Sequence, residues 1–333
     1  MSATNDGSGV QRHSDDDGPA DGMDRTAFTY SIVVPVYNSV ALVGRTVDTI
    51  VDVFETAGLS YELILVNDGS RDGSWDVIAG RAESNPHVIA LNLLRNYGQH
   101  FANLAGMREA TGDYVITMDD DLQNPPDQAL LLIDEAMKGY DAVFGRFDRK
   151  QAAGYRRIGS KLIGMINRRI FAQPPDLVVS NFRVLRRDVV DRICASRVAY
   201  PYITGQSLMY SFNRANVTVR HDQRAVGKST YGLSRILRLV LTILFAYSSF
   251  PLRVAASFGA VIAVLSFVLG ATYLVRAMIG TQAVPGWTTL VVLLAFFNGV
   301  TIALLSMLGE YVVRTLNTVS TMQHYHVVDR VGP

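Results

Sequence analysis

From Tyr30 onward the chain alternates two periodicities, and few folds accept that alternation. Tyr30–Val36 is a β-branched run ending in Pro35-Val36-Tyr37-Asn38. Ala41–Thr56 then places Val43, Val47, Ile50, Val51 and Phe54 at helical spacing. Tyr61–Val66 reads as a second strand, followed by the turn-rich Asn67-Asp68-Gly69-Ser70-Arg71-Asp72-Gly73-Ser74 and a helix starting near Trp75. His87–Leu91 and Tyr140–Phe144 read as further strands, Gln99–Ala110 as a helix, and Pro125-Pro126 opens another helix through Lys138. Tyr155–Phe171 is helical, and Asn181–Leu185, Asp188–Ala195 and Val217–Asp222 complete this part. Short strands separated by helices of this size predict an α/β domain, a mostly parallel sheet covered on both faces. Ligands of such sheets bind outside the carboxyl ends of the strands.

One strand end carries unusual chemistry. Gly112–Thr117 is apolar and β-prone and runs into Met118-Asp119-Asp120-Asp121-Leu122-Gln123. Asp-x-Asp at a strand end delivers two hard oxygen ligands at one sheet edge. These suit Mg²⁺ or Mn²⁺, which in turn hold a diphosphate. Asp120 points the other way if strand pairing persists that far. An Asp triplet at a loop tip is, without that context, a solvated turn. Asp68-Gly69-Ser70 is likewise an ordinary capping turn by itself. With Asp119 and Asp121 in the same sheet, the loops after the first two strands become candidates for a base and ribose pocket, with Tyr37 as the stacking face.

The net charge of +1 gives no field for nucleic acid. Cys194 is the only cysteine, which excludes a disulfide framework and a thiolate cluster and fits a reducing, cytoplasm-facing catalytic part. Residues 1–27 hold Asp6, Asp15, Asp16, Asp17, Asp21 and Asp24 among Gly, Ser and Asn and read as a disordered acidic tail. After residues 28–232 the composition changes. Val254–Val275 and Trp287–Leu308 each run roughly 22 residues without a charge, enough to cross about 30 Å of hydrocarbon. A transmembrane hairpin over 254–312 is therefore expected. Arg235, Arg238, Arg253 and Arg314 flank it on the outside, against Arg276 in the connector, so the positive-inside bias puts both termini and the α/β domain in the cytoplasm. Residues 233–253 read as an amphipathic helix in the membrane interface, with a third span as the alternative. Residues 313–333 read as a cytoplasmic tail.

Val33–Asn38, Val66–Ser74, Arg95–His100 and Met118–Pro126 together resemble the inverting family 2 glycosyltransferases of the GT-A (Rossmann-like) fold. Within that family the chain is similar to the polyprenyl-phosphate glycosyltransferases, the group of dolichol-phosphate mannose synthase and the bacterial undecaprenyl-phosphate sugar transferases. The resemblance implies that Asp119, Asp121 and Gln123 position the metal and diphosphate, and that Pro35, Tyr37, Asn38 and Asp68 line the nucleotide pocket. It also implies that Arg146, Arg156, Ser160, Arg224 and Ser229 serve the acceptor phosphate, Arg224 being the strongest candidate beside Gly227-Lys228-Ser229. Arginine suits this task because its planar fork binds phosphate bidentately. Relatives often carry Glu at Asn38, Asp at Asn67, Gly at Asn181 and Lys at Thr230.

The expected reaction moves a sugar, with inversion, from a UDP- or GDP-sugar to the phosphate of a polyprenyl phosphate at the inner membrane, serving cell-envelope glycan assembly or modification. A phosphate is already ionised at pH 7, so no dedicated base is required. Self-association is a further expectation. A processive polysaccharide synthase is the alternative enzyme, but its usual Gln-x-x-Arg-Trp motif is missing from the sequence. A non-catalytic binder of nucleotide sugars or lipid phosphates is the other.

Overall fold

The computed structural model describes residues 23–147, 164–198, 200–222, 240–244, 246–248, 250–279, 286–319 and 325–333. Its strands are β1 (Thr29–Val36), β2 (Ser60–Asn67), β3 (Val88–Leu93), β4 (Tyr114–Thr117), β5 (Ala142–Phe147), β6 (Arg183–Arg186), β7 (Arg214–Val219) and β8 (Val327–Val331). The helices are α1 (Val43–Thr56), α2 (Ser74–Ser84), α3 (Gln99–Glu109), α4 (Asp127–Ala136), α5 (Arg187–Ala195), α6 (Ile203–Tyr210), α7 (Phe250–Met278) and α8 (Trp287–Val319). Residues 164–171 and 240–244 are also helical. All eight strands share one sheet in the order β7-β5-β6-β4-β1-β2-β3-β8. The β3-β2-β1-β4 centre and the β5–β7 pair are parallel, whereas β6 and β8 run antiparallel to their neighbours.

The centre forms because its strands are apolar on both faces. Ile32 and Val34 of β1 face one core with Leu63, Leu65, Val47, Ile50 and Phe54. Val33, between them, faces the other core with Ile64, Leu91, Leu104 and Val115. Such runs are what a sheet sandwiched between helices demands. Helix α3 lies close enough to β1 that a Cβ on Gly106 would sit 2.4 Å from Val33 Cγ1.

Three boundaries differ from the sequence expectation. The acidic tail stops earlier than residue 27: Met23 N–H donates to the Met137 carbonyl, and Tyr30 Oη–H donates to that of Arg25. Of the segment expected to lie in the membrane interface, residues 233–239 lie outside the described residues, Val240 and Ile243 are buried in the α3–α5 core, and Leu241 is 45% exposed. The Tyr247 hydroxyl donates to the Tyr200 carbonyl and accepts from Tyr202 N–H. Finally, the expected tail over 313–333 is not a free tail. Helix α8 runs on to Val319, and β8 pairs with β3, reinforced by an Arg330–Glu109 ion pair at 2.6 Å.

Helices α7 and α8 have 29 and 33 residues, about 44 and 50 Å of helix. Val254, Phe258, Val261, Val264 and Leu265 on α7, and Leu290, Leu294 and Leu305 on α8, are each at least half exposed. Counting described residues alone, no helix is long and apolar enough to cross a membrane. The complete sequence of both helices keeps the two uncharged runs.

Candidate active site

Strands β1 and β4 pair from Tyr30↔Tyr114 to Val33↔Thr117, with one further bond from Met118 N–H to the Val33 carbonyl at 3.2 Å. Beyond it they part. The Val33 carbonyl faces β4 and the Val36 carbonyl accepts from Asp68 N–H on the β2 side, so alternation turns Pro35 toward β4. Its missing N–H falls where pairing has already ended, and the sheet loses no bond. From β1 the chain winds to β2 and β3 on one side and reaches β4 on the other. This is the switch point at which doubly wound sheets open a crevice.

The loop after β1 forms one wall. Tyr37 is 52% exposed at the mouth. Asn38 has φ of 50°, a left-handed conformation that Asn tolerates better than most residues. Its N–H donates to Ser70 Oγ at 2.9 Å, and its Oδ1 accepts from Arg71 N–H at 3.0 Å, tying the two loops together. Asp68 turns inward. Its Oδ1 accepts from Tyr97 N–H at 2.7 Å and its Oδ2 from Gly98 N–H at 2.9 Å. Burial raises its pKa against these two bonds. Gly69, with φ of 63°, lies directly on the next loop, where a Cβ would meet the Arg95 carbonyl carbon at 2.4 Å. Of the four residues assigned to the nucleotide pocket, Tyr37 and Asn38 are exposed, Pro35 is buried, and Asp68 braces the loop preceding α3.

The three aspartates take three directions. Asp119 Oδ1 accepts from Gln99 Nε2 at 2.5 Å and Asn181 Nδ2 at 2.7 Å. Asp120 turns toward the β1 loop, where Ser39 and the Tyr37 backbone N–H bond its carboxylate, and its own carbonyl accepts from Thr46 Oγ1 at 2.8 Å. Asp121 Oδ1 accepts from Gln123 N–H at 3.2 Å, across a left-handed turn at Leu122 with φ of 55°. Asp120 thus points away from Asp119 as expected, but strand alternation is not the cause, because β4 ends at Thr117. Burial, and then the Asp121 charge, hold the Asp119 pKa above its usual value, and burial pushes Asp120 up to about 6.

This donor set fits a divalent cation. Asp119 and Asp121 repel each other, and both bonds to Asp119 fall on Oδ1, leaving Oδ2 for a metal. Among the described residues no group of three or more His, Cys, Asp or Glu forms a complete site. Mg²⁺ and Mn²⁺ accept one or two carboxylates when substrate phosphates and water supply the rest.

On the acceptor side, Arg146 is exposed near the end of β5, opposite Thr218 of β7. Arg156, Ser160, Arg224 and Ser229 lie outside the described residues. A cavity of about 540 Å³ opens between the 164–171 helix, Val240, Leu244, Tyr247 and Ser248, and the start of α7. Met165, Ile166, Leu244 and Phe250 make it apolar, and Arg169 and Arg253 add two cations. The Arg169 guanidinium lies 5.8 Å from the Phe250 ring centroid.

Residues 31–194 match the family described as glycosyl transferase family 2. The undecaprenyl-phosphate 4-deoxy-4-formamido-L-arabinose transferase of Shewanella sediminis (strain HAW-EB3) is 34% identical over 302 residues, 90% of this chain and 91% of that protein. The protein of the same name from Proteus mirabilis (strain HI4320) is 33% identical over 91% of this chain and 94% of its own. The chain belongs to glycosyl transferase family 2. Its fold is also that of glucosyl-3-phosphoglycerate synthase from Mycobacterium tuberculosis, solved with Mn²⁺, UDP and phosphoglyceric acid. That match has a TM-score of 0.51 and 18% identity over 67% of this chain and 79% of the synthase. In this family 2 chain the partners of Asp119 are Gln99, from the Arg95–His100 motif, and Asn181, and neither position by itself shows this role. Only their spatial meeting at one carboxylate oxygen reveals it.

Proposed function

We propose that this family 2 glycosyltransferase moves a sugar, with inversion, from a nucleoside diphosphate sugar to the phosphate of a polyprenyl phosphate, with Mg²⁺ or Mn²⁺, at the cytoplasmic face of a membrane. The observation that carries the reading is the pair Asp119 and Asp121 at the end of β4, where it parts from β1, with Tyr37 exposed on the loop after β1. The relatives' names supply the lipid acceptor, and the Mn²⁺ and UDP of the solved synthase supply the precedent for the metal.

Asp119 and Asp121 hold a divalent ion, which when bound neutralises charge on the departing nucleoside diphosphate. Tyr37 offers its face to the base, and Asn38 keeps the two pocket loops in register. Asp120 remains a loop anchor. A lipid phosphate attacks without deprotonation, so the protein's task is to bring two anions together in line. Arg146, Arg156 and Arg224, with Ser160 and Ser229, offset the acceptor's charge. The two-arginine cavity suits the first part of a prenyl chain beside its phosphate.

A hairpin of α7 and α8 through the bilayer holds this site at the depth of the lipid phosphate. Two facts support it: the uncharged runs, and the return of β8 to the sheet that β1 began. A chain that leaves and rejoins one sheet crosses a membrane an even number of times, which keeps β1 and β8 on the same side of it. The test is turnover with labelled nucleotide sugars, a 4-deoxy-4-formamido-L-arabinose donor included, and polyprenyl phosphate. A lipid-linked monosaccharide is expected. Polymer indicates a processive synthase, and absence of product with every donor indicates a binder. Asp121→Ala should lower transfer at least 100-fold while the protein still partitions into membranes; full activity in that variant removes the metal assignment.

A further inference from the structure

Behind Asp119 lies a charge that the proposed chemistry does not use. Arg183 is fully buried at 0% exposure. Strand β6 brings it there, in register with Thr117, two residues before Asp119. Its Nε donates to Thr117 Oγ1 at 3.1 Å, its Nη1 to Thr204 Oγ1 at 3.3 Å and Ser207 Oγ at 3.4 Å, and its Nη2 to Asn181 Oδ1 at 3.0 Å. All these partners are neutral. Keeping a guanidinium out of water with no carboxylate bonded to it is costly, and the carboxylate whose charge favours it is that of Asp119.

We propose that Arg183 is a positioning residue for the metal-binding carboxylate: acting through Asn181, it fixes Asp119 with Oδ1 toward the protein and Oδ2 toward the cation. This rests on the reading that Asp119 holds a metal-bound diphosphate.

The direction of the relay follows from hydrogen-bond chemistry. A guanidinium has donors only, so Asn181 must present its oxygen to Arg183. Asn103 Nδ2 donates to that same oxygen at 3.1 Å. The Asn181 amide nitrogen is then turned to Asp119 Oδ1, at 2.7 Å. A flipped amide would set an N–H group against Arg183 and an oxygen against a carboxylate. Gln99 donates to the same Asp119 oxygen from α3, so two donors on different elements fix one rotamer. Residues that orient a metal ligand in this way typically change metal affinity by about 10- to 100-fold.

The experiment uses the full chain in detergent with saturating UDP, titrated with Mn²⁺ and read by the electron paramagnetic resonance of free Mn²⁺. Wild-type binding that disappears in Asp121→Ala establishes the underlying reading; absence of wild-type binding removes that reading, and the inference with it. Given wild-type binding, Asn181→Ala should weaken Mn²⁺ about 10- to 100-fold and Arg183→Gln by no more than that. Arg183→Lys, which keeps the charge without the fork, should recover only part of the loss. The double variant Asn181→Ala/Arg183→Gln should be no weaker than Asn181→Ala alone, because the two act in series. UDP affinity without metal should stay at the wild-type value. Mn²⁺ affinity within twofold of wild type in folded Asn181→Ala overturns the proposal, as do fully additive losses in the double variant. Asn181 is only half-buried, so this arm remains decisive even where Arg183→Gln does not fold.

Discussion

The centre of the sheet and its outer strands are held by different physics. In β3-β2-β1-β4 nearly every side chain is buried, and the two faces pack against separate cores. The late strands are polar by comparison. Strand β8 exposes Val327, Val328, Asp329 and Arg330, and β7 is buried fully only at Val219. The centre is therefore a scaffold fixed by apolar burial, on whose carboxyl edge the aspartates stand. Strands β7 and β8 are joined on through backbone pairing and polar side chains, whereas β6, with Val184 and Leu185 buried, packs into both cores and carries Arg183 into contact with the site. A family 2 chain can thus keep the scaffold while its outer strands reshape what touches the metal and the acceptor.

The sharpest way to break this contrast is to truncate one aliphatic side chain to alanine in each region. Leu63→Ala, at a site with no exposure, should cost about 2–5 kcal/mol. Val328→Ala, on a residue 50% exposed, should stay within about 0.5 kcal/mol. Denaturant midpoints of the full chain in detergent measure both. Similar losses at the two positions would show that the outer strand is as deeply load-sharing as the centre.

The same contrast explains what the sequence made legible. Strands β1 to β5 fall where β-branched runs stand, because a parallel strand buried on both faces writes its burial into consecutive residues. The switch-point placement of Asp119 and Asp121 follows from that pattern. Strand β8 was invisible: Val327–Val331 is short, carries Asp329 and Arg330, and pairs with a strand more than 200 residues earlier. The role of Asp68 was also hidden. An Asp-Gly-Ser turn looks the same whether its carboxylate faces a ligand or, as here, two backbone N–H groups of another loop. Residues 240–244 show the converse, where an apolar stretch beside a membrane signal buries Ile243 in protein.

The seam between the two regions offers a pH test. The His100 ring stands edge-on to Tyr200 and Tyr202, and its Nδ1 is sealed from solvent without a partner. Burial, aided by the Arg183 charge, lowers its pKa from 6.5 to about 4. The unfolded chain therefore takes up this proton first as pH falls. The stability contribution is complete above pH 6.5 and declines as pH drops toward 4, reaching a loss of at most about 2 kcal/mol at pH 5. His100→Gln should remove this component, so the stability difference between pH 7 and pH 5 should shrink in the variant. An unchanged difference would mean that the imidazole is free to ionise in the folded state.

The smallest expected effect lies in one row of side chains crossing from the centre to the last strand. Asn67, Asn92 and Asp329 occupy paired positions on β2, β3 and β8. Asp329 accepts only, so Asn92 must donate to it, at 3.1 Å, and turns its oxygen to Asn67 Nδ2, at 2.8 Å. Asn67 Oδ1 is then left to accept from Ser70 N–H at 3.3 Å, in the loop whose Ser70 hydroxyl accepts from Asn38 N–H. A carboxylate on the last strand thereby sets the polarity of two amides leading to the donor pocket. Asp329 is exposed, and a bond of this kind contributes about 1 kcal/mol. Asp329→Leu should weaken UDP binding by roughly two- to fivefold, the equivalent of up to that amount, with turnover at saturating donor unchanged. Asp329→Glu should restore it. A fall in turnover without a change in donor affinity would place the influence of β8 at the acceptor side instead, and would mean that the centre orients its own pocket unaided.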